Sequence, residues 1–85
     1  MIWIHHDSPS GCLVSWTCCE ATVATGIYDV RHGRFAVDPF TTWFWRAHDG
    51  ILIWIGTYSK QVDAQNAAER DGGRGISQRI RGGWA

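Results

Sequence analysis

The run Phe40-Thr41-Thr42-Trp43-Phe44-Trp45-Arg46-Ala47-His48-Asp49-Gly50-Ile51-Leu52-Ile53-Trp54-Ile55-Gly56-Thr57-Tyr58 decides the fold. Two apolar stretches flank Asp49-Gly50. That pair favours a two-residue type I′ hairpin turn, which needs positive φ at both central positions. With those residues as the loop, Trp45 lies opposite Trp54, Ala47 opposite Leu52 and Trp43 opposite Gly56. On the reverse face Phe44 lies opposite Ile55, Arg46 opposite Ile53 and His48 opposite Ile51. Both faces of this ribbon are apolar, one carrying Phe44, Ile51, Ile53 and Ile55, the other Trp43, Trp45, Ala47, Leu52 and Trp54.

After Tyr58 the period of the pattern changes. Ser59 is a favourable N-cap. Residues 60–71 favour a helix, with Ala64, Ala67 and Ala68 on one stripe and Asp71 at the end. Val62 points away from the stripe. Gly72-Gly73 is expected to end the helix. Small alanines let it lie close to a sheet, and the isoleucine face is the one it is expected to cover. The indole face then points outward. A large exposed apolar patch on a monomer is often functional, and Trp is the residue most enriched at binding hot spots. Two alternatives stand beside this. The N-terminal hairpin, the Cys18–Thr25 segment or the C-terminal arm could fold over the indoles, or a second copy could pack on them as a homodimer.

Upstream, Ile2 to His6 and Cys12 to Thr17 read as a hairpin around the turn cluster Asp7-Ser8-Pro9-Ser10-Gly11, with His6 opposite Cys12. Ile27 to Val30 and Phe35 to Asp38 read as a second hairpin around Arg31-His32-Gly33-Arg34. Its buried side is Tyr28, Val30, Phe35 and Val37; Asp29, Ala36 and Asp38 fall on the other. Pro39 breaks pairing before the next strand. The expected fold is α+β, a small antiparallel sheet of about four to six strands followed by one helix. Residues 1–73 form one domain. Residues 74–85 form a mobile basic tail, in which Ile76, Ile80 and Trp84 recur at a spacing of four.

Composition narrows the function classes. Of the 85 residues, 45% are hydrophobic and 19% charged, so the chain is globular, not disordered. Eight basic residues balance eight acidic ones, and a neutral chain does not advertise a polyanionic partner. The charge is uneven, however: beyond Asp71 come Arg74, Arg79 and Arg81 with no acid. No run of about 18 apolar residues could span a membrane, and Met1 to Asp7 lacks the pattern of a signal peptide. Three cysteines suit a reducing, intracellular setting better than a disulfide framework. A cytoplasmic location is therefore expected.

Chemistry is sparse. His6, Cys12 and Cys18 are weak candidates for a metal site, since their spacing matches no knuckle and the adjacent Cys18 and Cys19 should point to opposite faces of a strand. Buried thiols packing as small hydrophobes fit better. Asp29, Asp38 and Asp49 fall at turns or on a solvated edge. No phosphate-binding or dinucleotide glycine fingerprint occurs. No enzyme activity and no cofactor are expected.

Ile53-Trp54-Ile55-Gly56-Thr57-Tyr58-Ser59, followed by Asp63-Ala64 and Ala67-Ala68, resembles the last strand and helix of ethylene-response-factor and phage-integrase arm type DNA-binding domains. The resemblance covers about thirty residues. It implies a helix packed on the Phe44, Ile53 and Ile55 face, and a sheet face that enters the major groove through arginine and tryptophan. Trp54 matches one such position, but the arginine expected two residues before it is Leu52 here. Arg46 falls by parity on the helix side. Groove readers need Arg or Lys for phosphates and base edges, and this face lacks them.

The expected function is therefore non-enzymatic binding to another protein through Trp43, Trp45, Leu52 and Trp54. Similar short strand–glycine–aromatic–helix segments occur in many small phage proteins. That similarity implies a phage or mobile-element inhibitor of the anti-CRISPR type, acting on a host nucleoprotein complex. The alternative is a nucleic-acid-binding domain using Trp54, Arg74, Arg79 and Arg81.

Overall fold

A computed structural model describes residues 1–6 and 16–78, with the side chain of Trp16 excepted. The architecture is α+β. Among the described residues an antiparallel sheet of five strands, in sequence order, precedes one helix. The strands are β1 (Ile4–His5), β2 (Trp16–Val23), β3 (Gly26–His32), β4 (Phe40–Arg46) and β5 (Ile51–Tyr58), and the helix is α1 (Gln61–Arg74). Among the described connections, β2 and β3 are joined by residues 24–25, β3 and β4 by 33–39, and β4 and β5 by 47–50.

The β4–β5 hairpin forms, but not in the expected register. Trp43 lies opposite Trp54, Phe44 opposite Ile53, Trp45 opposite Leu52 and Arg46 opposite Ile51. The loop is four residues long, because only Gly50 takes positive φ (70°) and Asp49 does not. A type I′ turn would require both. Instead the Gly50 N–H donates to the Arg46 carbonyl at 2.8 Å. Asp49 turns back to accept from Arg46 Nε (2.9 Å). The slip is two residues, so the side chains from Trp43 to Arg46 and from Ile51 to Trp54 keep their faces. A bulge then places Ile55 as an extra residue between the Thr42–Gly56 and Trp43–Trp54 pairs. Beyond it the helix-facing positions become Gly56 and Tyr58, and Tyr58 joins the core.

The N-terminal hairpin pairs deeper along β2 than expected. Ile4 lies opposite Glu20 and His5 opposite Cys19, and the His6 N–H donates to the Cys18 carbonyl at 2.8 Å. His6 is therefore not the partner of Cys12, which lies outside the described residues, as does the turn cluster at 7–11. β1 extends the sheet edge instead of roofing it. Trp3 turns to the helix side, where its indole donates to Glu69 Oε2 at 2.9 Å.

Phe35 to Asp38 is not a strand. β3 pairs with β2 on one side and β4 on the other, leaving no free edge for it. The segment is a turn in which the Asp38 carboxylate accepts from the Phe35 N–H (2.8 Å) and the Asp38 N–H donates to the Phe35 carbonyl (3.0 Å). Phe35 and Val37 consequently stand 59% and 91% exposed, while Tyr28 and Val30 fill the core.

The core lies between the sheet and α1. Tyr28, Val30, Phe44, Ala64 and Ala68 are fully buried. Tyr28 and Phe44 meet at 4.5 Å between ring centroids, and Ile53 and Ile55 pack beside them. The buried Thr42 hydroxyl donates to the Ala64 carbonyl at 2.8 Å, tying helix to sheet. Val62 points to solvent. The helix is capped by Lys60 without a side-chain bond, so Ser59 is not the cap.

The helix also runs through Gly72-Gly73 to Arg74 and ends at Gly75, whose φ is 68°. Tertiary contacts explain the extension. Asp71 is pinned by Tyr28 and Ser77, and the Gly72 carbonyl accepts from Gln78 at 3.2 Å. Past the helix, Ser77 is buried and Gln78 bonds Tyr28, Gly72 and Thr25. The docked chain thus reaches Gln78. Ile80 and Trp84 lie outside the described residues.

Cys18 and Cys19 do not point to opposite faces. Cys18 is the extra residue of a bulge between the Thr17–Arg31 and Cys19–Val30 pairs. Both side chains therefore face the core, where the two free thiols are buried in one cluster. Cys18 donates to the Val30 carbonyl at 3.1 Å. The Cys19 thiol is pushed well above its usual range by its bond with Cys18 and by burial.

Candidate functional site

The sheet face opposite α1 collects the outward residues of four strands. Inward Tyr28 and Val30 force Ile27, Asp29 and Arg31 outward, by the two-residue period of β3. The same rule places Trp43 and Trp45 of β4, Leu52 and Trp54 of β5, and Glu20 of β2 on that face. The four residues expected to bind a partner are thereby brought together. Trp43 faces Trp54, and Trp45 faces Leu52. Trp45 and Leu52 are each 39% exposed and Trp54 is 57% exposed. Trp43 is half-buried. The Trp54 indole donates to the Thr57 hydroxyl at 3.3 Å, which steadies the most exposed ring.

Beside the indoles lies a charged cluster that sequence reasoning missed as a site. The Arg31 guanidinium sits 5.7 Å from the Trp43 ring centroid, within cation–π range, and its Nη2 donates to Asp29 Oδ2 at 3.3 Å. Glu20 neighbours Asp29 across the β2–β3 pair and meets His6 Nε2 at 3.4 Å. Arg31 Nε is buried and has no acceptor among the described residues. The face therefore has an aromatic half over β4–β5 and an ionic half over β2–β3. Parity along β3 puts Asp29 and Arg31 on this side, although the sequence pattern reads Arg31 and His32 as loop residues and the structure places them in the strand. That parity was the signal available to find them.

Asp29 is not on a solvated edge. It is buried, because β3 is the central strand and Glu20 and Trp43 flank it on both sides. Burial raises its carboxyl above the usual range, and the bond from Arg31 opposes the rise. A raised pKa means that the folded chain holds the proton more tightly than the unfolded one. Relative to Asp29→Asn, the native protein should gain stability as pH falls from neutral through the folded pKa. The gain should level off below about pH 3.9, the ordinary Asp value. Thermal unfolding of both proteins across that range measures it, and a constant difference would show an unperturbed Asp29.

The other candidate sets are not assembled. Trp54 is on the indole face, while Arg74 lies at the C-terminus of α1 on the opposite side; Arg79 and Arg81 lie outside the described residues. His6 is on the sheet's outer side with Glu20, whereas Cys18 is in the core under α1, and Cys12 is not described. Among the described residues no three potential metal ligands cluster, and no helix is long and apolar enough to cross a membrane. Arg46 is on the helix side, as its parity requires. It is buried, bonded to Asp49, and donates to the Ser77 carbonyl at 3.4 Å. That pairing holds the Asp49 carboxyl below its usual range.

Comparison of the chain with protein-family models, with curated proteins and with solved structures finds no match.

Proposed function

We propose that this protein is a non-enzymatic binding module that engages another protein through Trp43, Trp45, Leu52 and Trp54. The observation that carries the reading is the exposure of Trp45, Leu52 and Trp54 side by side while α1 covers the reverse face. Rigid aromatic side chains on a sheet lose little conformational entropy when a partner covers them. The Asp29–Arg31 pair lies beside the indoles on the central strand, and a partner that meets Arg31 there gains orientation more than affinity. Inhibition of a host nucleoprotein complex by a phage or mobile-element protein, of the anti-CRISPR type, is the setting we propose, on the resemblance of the segment from Ile53 to Ala68 to short segments of small phage proteins.

The test is affinity capture with native protein and with Trp45→Thr/Trp54→Thr, which keeps strand-compatible side chains. Loss of specific partners from the variant, with its circular dichroism unchanged, is the expected result. Identical recoveries from both baits would refute the reading. Captured complexes should also tolerate salt. Log-linear weakening with rising salt would instead mark phosphate contacts and favour nucleic acid.

A further inference from the structure

The edge of the sheet at β5 offers a second surface, on backbone as much as on side chains. Among the described elements β5 pairs with β4 alone, so its outer N–H and C=O groups form an open ladder. Edge strands are commonly guarded by charge, proline or shortness. β5 runs for eight residues, Ile51 to Tyr58, with no charged residue and no proline. The opposite edge, β1, is only two residues long.

On the helix side, the space between β5 and the C-terminal half of α1 is an open groove of about 170 Å³. Ile55, Tyr58, Ala67 and Ile76 make its apolar walls, and Arg70 and Arg74 line it from α1. The two arginines are four residues apart, hence on one face of the helix. Neither pairs with an acid among the described residues. The Asp71 carboxylate in the same wall is already engaged by Tyr28 and Ser77.

We propose that the β5 edge receives an extended acidic segment of a partner protein as an additional strand, with acidic side chains in the groove against Arg70 and Arg74. Side chains of an added strand alternate between faces. A segment alternating acidic and apolar residues therefore places its acids over the groove and its apolar side chains beside Leu52 and Trp54. A second copy of the chain fits less well. Its β5 carries no acid, and symmetric pairing of two β5 strands would bring the arginines of both copies to the same side of the joined sheet. The proposal goes beyond the indole-face reading and stands without it, since ladder and groove persist when Trp45 or Trp54 is replaced.

The test uses the full chain and synthetic peptides of the length of β5. One alternates valine with glutamate, one alternates valine with lysine, and a third is the glutamate peptide methylated on alternate backbone nitrogens, in both phases. Amide hydrogen exchange resolved by NMR reads the β5 N–H groups directly. The glutamate peptide should slow their exchange, and the lysine peptide should bind roughly tenfold more weakly. Backbone methylation in the phase that faces β5 should abolish the protection. Arg70→Glu/Arg74→Glu alters only exposed helix positions and should reverse the charge preference with circular dichroism unchanged. Equal binding of both charges, protection that survives both methylation phases, absence of protection at millimolar peptide, or a dimer that shields β5 without peptide would each overturn the proposal.

Discussion

Phe44→Ala should remove about 3–5 kcal/mol of unfolding free energy, the usual cost of emptying a fully buried aromatic site. Phe44 has no exposed surface. Its ring packs at a tilt against Tyr28 and supports Ala68 of α1, with Ile53 beside it. Alanines on the helix cannot reach into the void, so the cavity stays open unless α1 itself moves. A domain of this size has roughly 4–13 kcal/mol in total. The variant therefore sits near or below the threshold of folding. Urea unfolding followed by Trp fluorescence should show a lower midpoint with an unchanged slope. Phe44→Leu should cost less than the truncation, since it fills much of the same volume. A loss below about 1 kcal/mol for Phe44→Ala would mean that α1 does not rest on this ring.

Asp71→Ala is expected to cost about 2–5 kcal/mol, from polar groups left without partners and not from lost apolar contact. The buried carboxylate accepts from the Tyr28 hydroxyl at 2.6 Å and from the Ser77 hydroxyl at 2.8 Å. Gln78 adds a bond to the same tyrosine oxygen at 3.3 Å, and Thr25 donates to Gln78 at 2.7 Å. These bonds clamp the end of α1 and residues 75–78 onto β3 and the β2–β3 turn. Burial and the neighbouring Asp71 both raise the Tyr28 pKa, so the phenol stays a neutral donor throughout the physiological range. Removing the acceptor strands two buried donors. Tyr28→Phe removes one donor and leaves Asp71 its bond with Ser77, so it should cost less. The double variant should cost less than the sum of the two, because the residues share one network. Chemical denaturation gives these energies, and amide exchange should show residues 75–78 losing protection first. Additive losses would dissolve the claim of a coupled clamp.

The face assignment of the candidate site was legible because it depends on parity. Trp43, Trp45, Leu52 and Trp54 share a face whether the hairpin loop holds two residues or four, since a slip of two preserves the alternation. The helix side followed from the alanine stripe in the same way. The pairing within the site was not legible. Asp49-Gly50 reads as a two-residue turn, and only the Arg46–Asp49 contact and the lack of positive φ at Asp49 mark the longer loop.

Local periodicity by itself determined the α+β class, the ribbon apolar on both sides, the outward indoles and the inward Arg46. These depend on how consecutive residues alternate, which a strand or helix imposes wherever it sits. Contacts between distant segments decided the rest. Both bulges, at Cys18 and Ile55, show only in pairing across strands. Asp29 is buried only because β2 and β4 both flank β3. The helix passes Gly72-Gly73 because Tyr28 and Ser77 hold Asp71 from outside the helix's own sequence. A glycine's helix-breaking cost is about 1 kcal/mol, small enough for such tertiary bonds to override.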